Sequence, residues 1–168
     1  MTLRVGLIGL GQVSGKILEA FGRVDGVELA GAADVRATAR TAFSTRFGLP
    51  AYDSIDAICA ARDIDAVWVA TPNTVHCEAV VTAARAGKHI LCEKPMATSL
   101  AECDAMIAAA EKAGVRLLMV SKILEPPVRA MRKVIDGGRI GEVFQINTVV
   151  FTDWLQRPRS ADELKTEI

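Results

Sequence analysis

Leu3-Arg4-Val5-Gly6-Leu7-Ile8 is a short apolar run that ends at Gly9-Leu10-Gly11, and helical spacing begins at once, with Val13, Ile17, Ala20 and Phe21 on one face. A strand that turns through glycines straight into a helix has few ways to continue. The helix must lie on the strand, and the next strand must return parallel beside the first. The chain keeps that rhythm. Val27–Ala33 is a second run, and Ala39, Phe43 and Phe47 mark one face of a helix stopped by Gly48-Leu49-Pro50. Ala66-Val67-Trp68-Val69-Ala70 is a third run, continuous enough to be buried on both faces. Residues 88–92 and 115–120 repeat it, and between them Leu100, Cys103, Met106, Ile107 and Ala110 form a helical stripe opened by the capping box Ser99-x-x-Glu102. The expected fold is α/β, a Rossmann-type doubly wound parallel sheet with helices on both faces.

The pattern changes near Glu125. Pro126-Pro127 suits the first turn of a helix carrying Val128, Met131, Val134 and Ile135, closed by Gly137-Gly138. Residues 143–151 form the longest strand candidate, with Phe144, Ile146, Thr148 and Val150 facing one way and Gln145 and Asn147 diluting the other face. Arg157-Pro158-Arg159-Ser160 and the charged tail carry no core signal. The expected division is a dinucleotide-binding domain over residues 1–124, then the incomplete beginning of an α+β substrate or oligomerisation domain over residues 125–168.

Composition excludes several classes of function. Twenty Lys+Arg balance twenty Asp+Glu over 168 residues, so no basic field or cluster points to nucleic acid. Mean hydropathy is +0.27, yet no uncharged apolar stretch approaches the roughly 20 residues of a membrane span. The N-terminal run is interrupted by Arg4 and ends in a glycine turn, unlike a signal peptide. Cys59, Cys77, Cys92 and Cys103 form no C-x-x-C pair and no ligand-like spacing with His76 or His89, so no metal site is expected. Four buried, reduced thiols in a cytoplasmic protein are expected instead.

The turn Gly9-Leu10-Gly11-Gln12-Val13-Ser14 predicts a site where a pyrophosphate approaches the backbone at a helix N-terminus. Its third small position is Ser14, with Gly15 beside it. An acid about 20 residues further, at the end of the next strand, completes the pattern, and Asp34 stands there. A carboxylate at that place accepts the adenosine ribose hydroxyls and repels a phosphate, favouring NAD over NADP. Arg36 opposes that preference, because a guanidinium two residues on can receive the phosphate. Further along, Cys92-Glu93-Lys94-Pro95 follows a strand. The carboxyl edge of a parallel sheet is where open α/β folds bind ligands, so Glu93 and Lys94 should face the cleft, where a lysine can polarise a hydroxyl and shuttle its proton. The plain alternative for Glu93 and Lys94 is a solvated ion pair at a strand end. For His76 and His89 it is a structural role, and Trp68 and Trp154 are best read as packing.

Gly9-Leu10-Gly11, Ala70-Thr71-Pro72-Asn73 with His76, and Ala86-Gly87-Lys88-His89 running into Glu93-Lys94-Pro95 together resemble the glucose–fructose oxidoreductase / inositol dehydrogenase family (Gfo/Idh/MocA). Gln145-Ile146-Asn147-Thr148 with Asp153-Trp154-Leu155-Gln156-Arg157-Pro158-Arg159 is similar to that family's phthalate cis-dihydrodiol dehydrogenase branch, which oxidises a carboxylated cyclohexadiene diol to a catechol. The resemblance implies that Gly9, Gly11, Gln12 and Val13 hold the pyrophosphate of NAD and Asp34 its adenosine ribose, with Arg36 beside it. It implies that Thr71, Pro72, Asn73 and His76 line the dinucleotide groove, that Glu93 lies near the nicotinamide ribose, and that Lys94, ahead of Pro95, contacts the reacting hydroxyl.

There are departures. Ser121-Lys122 replaces the family's small polar or His/Asn-containing turn, and the second-domain glycine-rich turn, Asp and His that complete its proton-transfer site are not found before Ile168. The resemblance therefore implies an NAD(P)-dependent oxidoreductase acting on a secondary alcohol such as a cyclic diol, polyol or sugar. The alternative is a nucleotide-binding fragment or pseudoenzyme, and the chain as written is expected to bind NAD(H) but turn over little or nothing. A redox-sensing regulatory module is a third reading, opposed by the neutral charge. Self-association through the C-terminal region is expected from the apolar face of residues 143–151.

Overall fold

The computed structural model describes residues 2–121, 126–147 and 149. The chain divides into two units, Met1–Lys122 and Ile123–Ile168. In the first unit, β1 (Leu3–Ile8), α1 (Gln12–Ala20), β2 (Val27–Ala33), α2 (Ala37–Phe47), β3 (Ala51–Tyr52), α3 (Ile55–Ala60), β4 (Ala66–Val69), α4 (His76–Arg85), β5 (His89–Cys92), α5 (Leu100–Ala113) and β6 (Leu117–Met119) succeed one another. A single 3₁₀ turn over Asn73–Val75 leads into α4. The six strands form one sheet in the order β3-β2-β1-β4-β5-β6, all pairs parallel.

Alternation along the strands divides the core in two, because successive side chains leave opposite faces of a sheet. Leu7, Ala32 and Trp68 gather with Ile17 of α1 and Phe43 of α2 on one side. Ile8, Val67, Val69, Ile90 and Cys92 gather on the other with Ile58 of α3, Ala79, Val80 and Ala83 of α4, and Met106 of α5. The sheet is therefore covered by helices on both faces, and the doubly wound reading holds.

Local signals account for most boundaries. Gly48 closes α2 in a left-handed conformation, its N–H on Ser44 O at 2.9 Å. Ser99 caps α5 by accepting from Glu102 N at 3.2 Å, and Glu102 Oε2 returns the bond one residue further out, to Thr98 N at 2.9 Å. The chain also contains two short elements that periodicity does not announce, β3 and α3. A two-residue strand and a six-residue helix are too short to show a repeat, although Ser54, which accepts from Ala57 N at 3.3 Å, is a capping signal.

Three expectations are corrected. In α5 only Met106 and Ala110 are buried, and Leu100 is 84% exposed. The helix presents one i, i+4 row to the core, a narrower strip than the apolar residues mark. Of the cysteines, all free, Cys59 and Cys92 are buried but Cys77 and Cys103 only half so. Burial pushes the Cys59 thiol up to about 11 and that of Cys92 up to about 12. Finally, residues 143–147 and 149 form no strand. A strand needs a partner for its backbone groups, none pairs with them among the described residues, and Phe144 is 94% exposed.

In the second unit α6 (Pro126–Asp136) begins at the proline pair and ends where Gly137 N meets Lys133 O at 3.1 Å and Gly138 N meets Ile135 O at 2.9 Å. Lys122, Thr148, Val150 and the segment carrying Asp153, Trp154, Arg157 and Arg159 lie outside the described residues. No described helix is long and apolar enough to cross a membrane.

Candidate functional site

The strand order places β4 beside β1, while β2 and β3 lie on β1's other side. At such a switch point the loops leaving the carboxyl ends of neighbouring strands part in opposite directions and leave a crevice. The loop after β1 carries Gly9 and Gly11, that after β2 Asp34 and Arg36, that after β4 Thr71, Pro72 and Asn73, and that after β5 Glu93, Lys94 and Pro95. Ladder bonds reach to the rim: Gly9 N donates to Ala33 O at 2.8 Å, Ala70 N to Ile8 O at 2.8 Å and Glu93 N to Val69 O at 2.9 Å. Parallel registry thus delivers every sequence-predicted site residue among the described positions to one edge of the sheet.

Gly9 has φ +98°, and a Cβ there would stand 2.7 Å from Ala70 O. The turn after β1 passes too near the exit of β4 for any side chain. Gly11 is different: a Cβ there would meet nothing within 4 Å, and no side chain caps α1. Gln12 and Val13 are exposed in the same first turn. Ser14 replaces the third glycine without loss of packing. It is 5% exposed, and its hydroxyl donates to Gly11 O at 2.5 Å. Across the crevice, Thr71 Oγ1 is buried and has no hydrogen-bond partner. An uncapped helix start, open space at Gly11 and an orphaned hydroxyl form a cradle suited to a polar, anionic group.

Asp34 faces this turn. Its Oδ2 accepts from Leu10 N at 2.8 Å and from Arg36 Nη2 at 2.9 Å. Its Oδ1 accepts from Arg36 N at 2.8 Å and Arg36 Nε at 2.9 Å. Burial pushes the carboxyl's pKa up, but the Arg36 guanidinium and the Arg36 and Leu10 backbone N–H groups outweigh it, leaving the pKa below its ordinary value. Asp34 does not cap α2, whose first flanking residue, Arg36, makes no side-chain cap.

His76 is buried at the start of α4, and its ring spans two loops: Nδ1 lies 2.9 Å from Pro95 O and Nε2 3.0 Å from Thr71 O. Both partners are carbonyl oxygens, so the imidazole sits between the β4 and β5 loops and donates to one of them through whichever nitrogen carries its hydrogen. Glu93 Oε1 accepts from the Trp68 indole Nε1 at 3.3 Å. Lys94 is exposed at the rim, and the Lys94–Pro95 peptide is cis. The sequence around Trp68 points only to packing. Its bond to Glu93 depends on β4 and β5 lying side by side in register, which no local pattern reveals.

His89 is not part of this edge. It opens β5 at the amino edge, where its Nδ1 accepts from Arg116 N at 3.1 Å. A concavity of about 530 Å³ at that edge is lined by Leu3, Asp65, Lys88 and His89 among others. It lies away from the rim loops, and Lys88 Nζ there is occupied by Ala61 O and Ile64 O at 2.6 and 2.7 Å. Among the described residues no group of His, Cys, Asp and Glu could hold a metal.

The profile of the oxidoreductase family with an NAD-binding Rossmann fold, Gfo/Idh/MocA, matches residues 3–121. The chain belongs to this family. It is 35% identical, over 99% of its own length and 42% of the relative's, to 1-carboxy-3-chloro-3,4-dihydroxycyclohexa-1,5-diene dehydrogenase of Comamonas testosteroni. Among solved structures, the WlbA dehydrogenase of Bordetella pertussis in complex with NADH and UDP-GlcNAcA superposes with a TM-score of 0.78 at 31% identity, over 84% of this chain and 44% of that one. KijD10, a 3-ketoreductase of Actinomadura kijaniata in complex with NADP and TDP-benzene, gives 0.75 at 32% identity, over 84% and 44%. The chain spans less than half the length of these relatives. In this Gfo/Idh/MocA chain the carboxyl edge that bears the four loops is the edge of an NAD-binding Rossmann sheet.

Proposed function

We propose that this Gfo/Idh/MocA chain carries the cofactor domain of an NAD(P)-dependent dehydrogenase that oxidises a secondary alcohol on a small ring, such as a cyclic diol. The observation that carries the reading is the cradle at the carboxyl edge, with a helix start that no side chain caps, the space at Gly11 and the unpartnered Thr71 hydroxyl. These features fit a pyrophosphate, whose acceptor oxygens suit a helix N-terminus and the Thr71 hydroxyl. Gly9, Gly11, Gln12 and Val13 hold it, Asp34 and Arg36 meet the adenosine ribose, and Thr71, Pro72, Asn73 and His76 line the groove. Glu93, Lys94 and Pro95 stand at the nicotinamide end.

When bound, nicotinamide supplies the hydride acceptor. The chain's own residues handle position and the proton. His76 fixes the β4 and β5 loops against each other, and Trp68 restrains the Glu93 side chain. Lys94 Nζ hydrogen-bonds the reacting oxygen, polarises it and passes its proton on to solvent at the exposed rim. The name of the Comamonas relative, a chlorinated carboxycyclohexadiene diol dehydrogenase, supports a carboxylated cyclic diol as the substrate class.

The test is to incubate the purified protein with NAD and a panel of cyclic polyols and carboxylated cyclohexadiene diols, following NADH absorbance, and to measure NADH binding through tryptophan emission. Turnover on a cyclic diol is expected. Lys94→Ala is expected to lower kcat by about 10²–10⁴-fold while leaving NADH affinity within a few-fold. NADH binding with no turnover on any of these alcohols would overturn the chemistry and leave a nucleotide-binding module. Absence of NADH binding would overturn the cofactor assignment itself.

A further inference from the structure

Placing the adenosine ribose on Asp34, the reading on which this inference rests, meets an obstacle in this chain. A carboxylate offers roughly four lone-pair positions on its two oxygens. Here Oδ1 takes Arg36 N and Nε, and Oδ2 takes Leu10 N and Arg36 Nη2. The carboxylate is already fully engaged by protein donors. Two of those donors are backbone N–H groups held by the turn. The other two belong to the Arg36 fork, whose side chain is 58% exposed and free to move outward. A ribose hydroxyl reaches Asp34 only by displacing that fork, which also gives up the 3.0 Å bond from Arg36 Nη2 to Leu10 O.

A ribose 2′-phosphate faces the opposite situation. Asp34 alone would repel it, but the pair with Arg36 is neutral, and the guanidinium's Nη1 takes no part in the bonds to Asp34 or Leu10. Planar guanidinium forks suit phosphate oxygens. The same turn holds a second cation, Arg40, whose Nη1 donates to Asp34 O at 2.9 Å and Val35 O at 3.0 Å, and the first turn of α2 has no acid. Two guanidiniums thus bear on residues 34–36, which carry the one carboxylate of Asp34. An acid at this position ordinarily signals exclusion of the phosphate, and its arginine partner cancels that signal.

We propose that Arg36 sets cofactor choice in this chain: seated on Asp34, it makes the site accept NADP alongside NAD. The experiment measures dissociation constants of NADH and NADPH, by tryptophan quenching or calorimetry, for the wild-type protein and Arg36→Ala. The wild-type constants are expected to lie within about tenfold of each other. Arg36→Ala leaves Asp34 with free lone pairs and an uncompensated charge, so the ratio of the NADPH to the NADH constant should rise at least about tenfold. A role for Arg36 only in the start of α2 would weaken both cofactors alike and leave the ratio unmoved, and that result overturns the proposal. So does a wild-type protein that already excludes NADPH by more than about a hundredfold. If neither cofactor binds the wild type, the dinucleotide reading falls and the role of Arg36 with it.

Discussion

Individual residues divide into those whose role is dictated by space and those whose role is dictated by partners. Gly9 is of the first kind. Its φ of +98° and the 2.7 Å between a would-be Cβ and Ala70 O leave no room for alanine, since the atom it would strike is backbone. Gly9→Ala is expected to destabilise the fold by about 1–3 kcal/mol and to weaken NADH binding, measured by thermal unfolding and titration. An unchanged melting temperature would show that the β1 and β4 loops part more easily than their geometry implies. Ser14 illustrates tolerance: a hydroxyl fits where the turn pattern asks for glycine because it satisfies itself on Gly11 O. Asp34 and Arg36 are of the second kind. Their identities and spacing stand in the sequence, but which of two roles the arginine plays depends on where its fork rests.

At the scale of elements, long helices and buried strands declare themselves because enough turns or alternations repeat to expose a period. The bounds of Val27–Ala33 agree with the apolar run, and α5 is framed by Ser99 and Gly114. β3 and α3 have too few residues to repeat. Width is as hard to read as length. The apolar stripe of α5 includes Leu100 and Ile107, yet only Met106 and Ala110 of the helix are buried, with Met106 in the core cluster shared with α4 and the sheet. Met106→Ala is accordingly expected to cost about 2–5 kcal/mol in chemical denaturation, because it empties a fully buried site. A loss no larger than that of an exposed substitution such as Leu100→Ala would mean that α5 can settle into the space.

The whole sheet is joined at its amino edge by a pair far apart in sequence. Arg4 at the start of β1 meets Asp65 ahead of β4, with Nη2 to Oδ1 at 2.8 Å, Nε to Oδ2 at 3.1 Å and the Arg4 N–H to Oδ2 at 2.9 Å. The Arg4 guanidinium and N–H hold the Asp65 carboxyl down at about 2, below its ordinary 3.8. A carboxyl depressed by folding stabilises the native state above its unfolded pKa, and that contribution is lost as pH falls through the folded one. Melting temperatures measured from pH 5 to pH 2 should fall more steeply in wild type than in Asp65→Asn across the window from about 4 to about 2. Parallel slopes would remove Asp65 from the acid response.

The sequence by itself determined the fold class, the glycine turn, the acid after β2 and the charged segment after β5, because each is a local pattern read within one element or one loop. Only the tertiary structure decided how those loops meet. Strand order brings Trp68 to Glu93, lets His76 bridge Thr71 and Pro95, and leaves the Thr71 hydroxyl buried without a partner. It also seats Arg36 on Asp34 and Leu10, turning what reads as a free carboxylate into a neutral pair. Hydrogen bonds of this kind join residues far apart in sequence, 26 positions from Arg36 to Leu10 and 61 from Arg4 to Asp65. Their geometry depends on sheet registry, which no stretch of sequence contains alone.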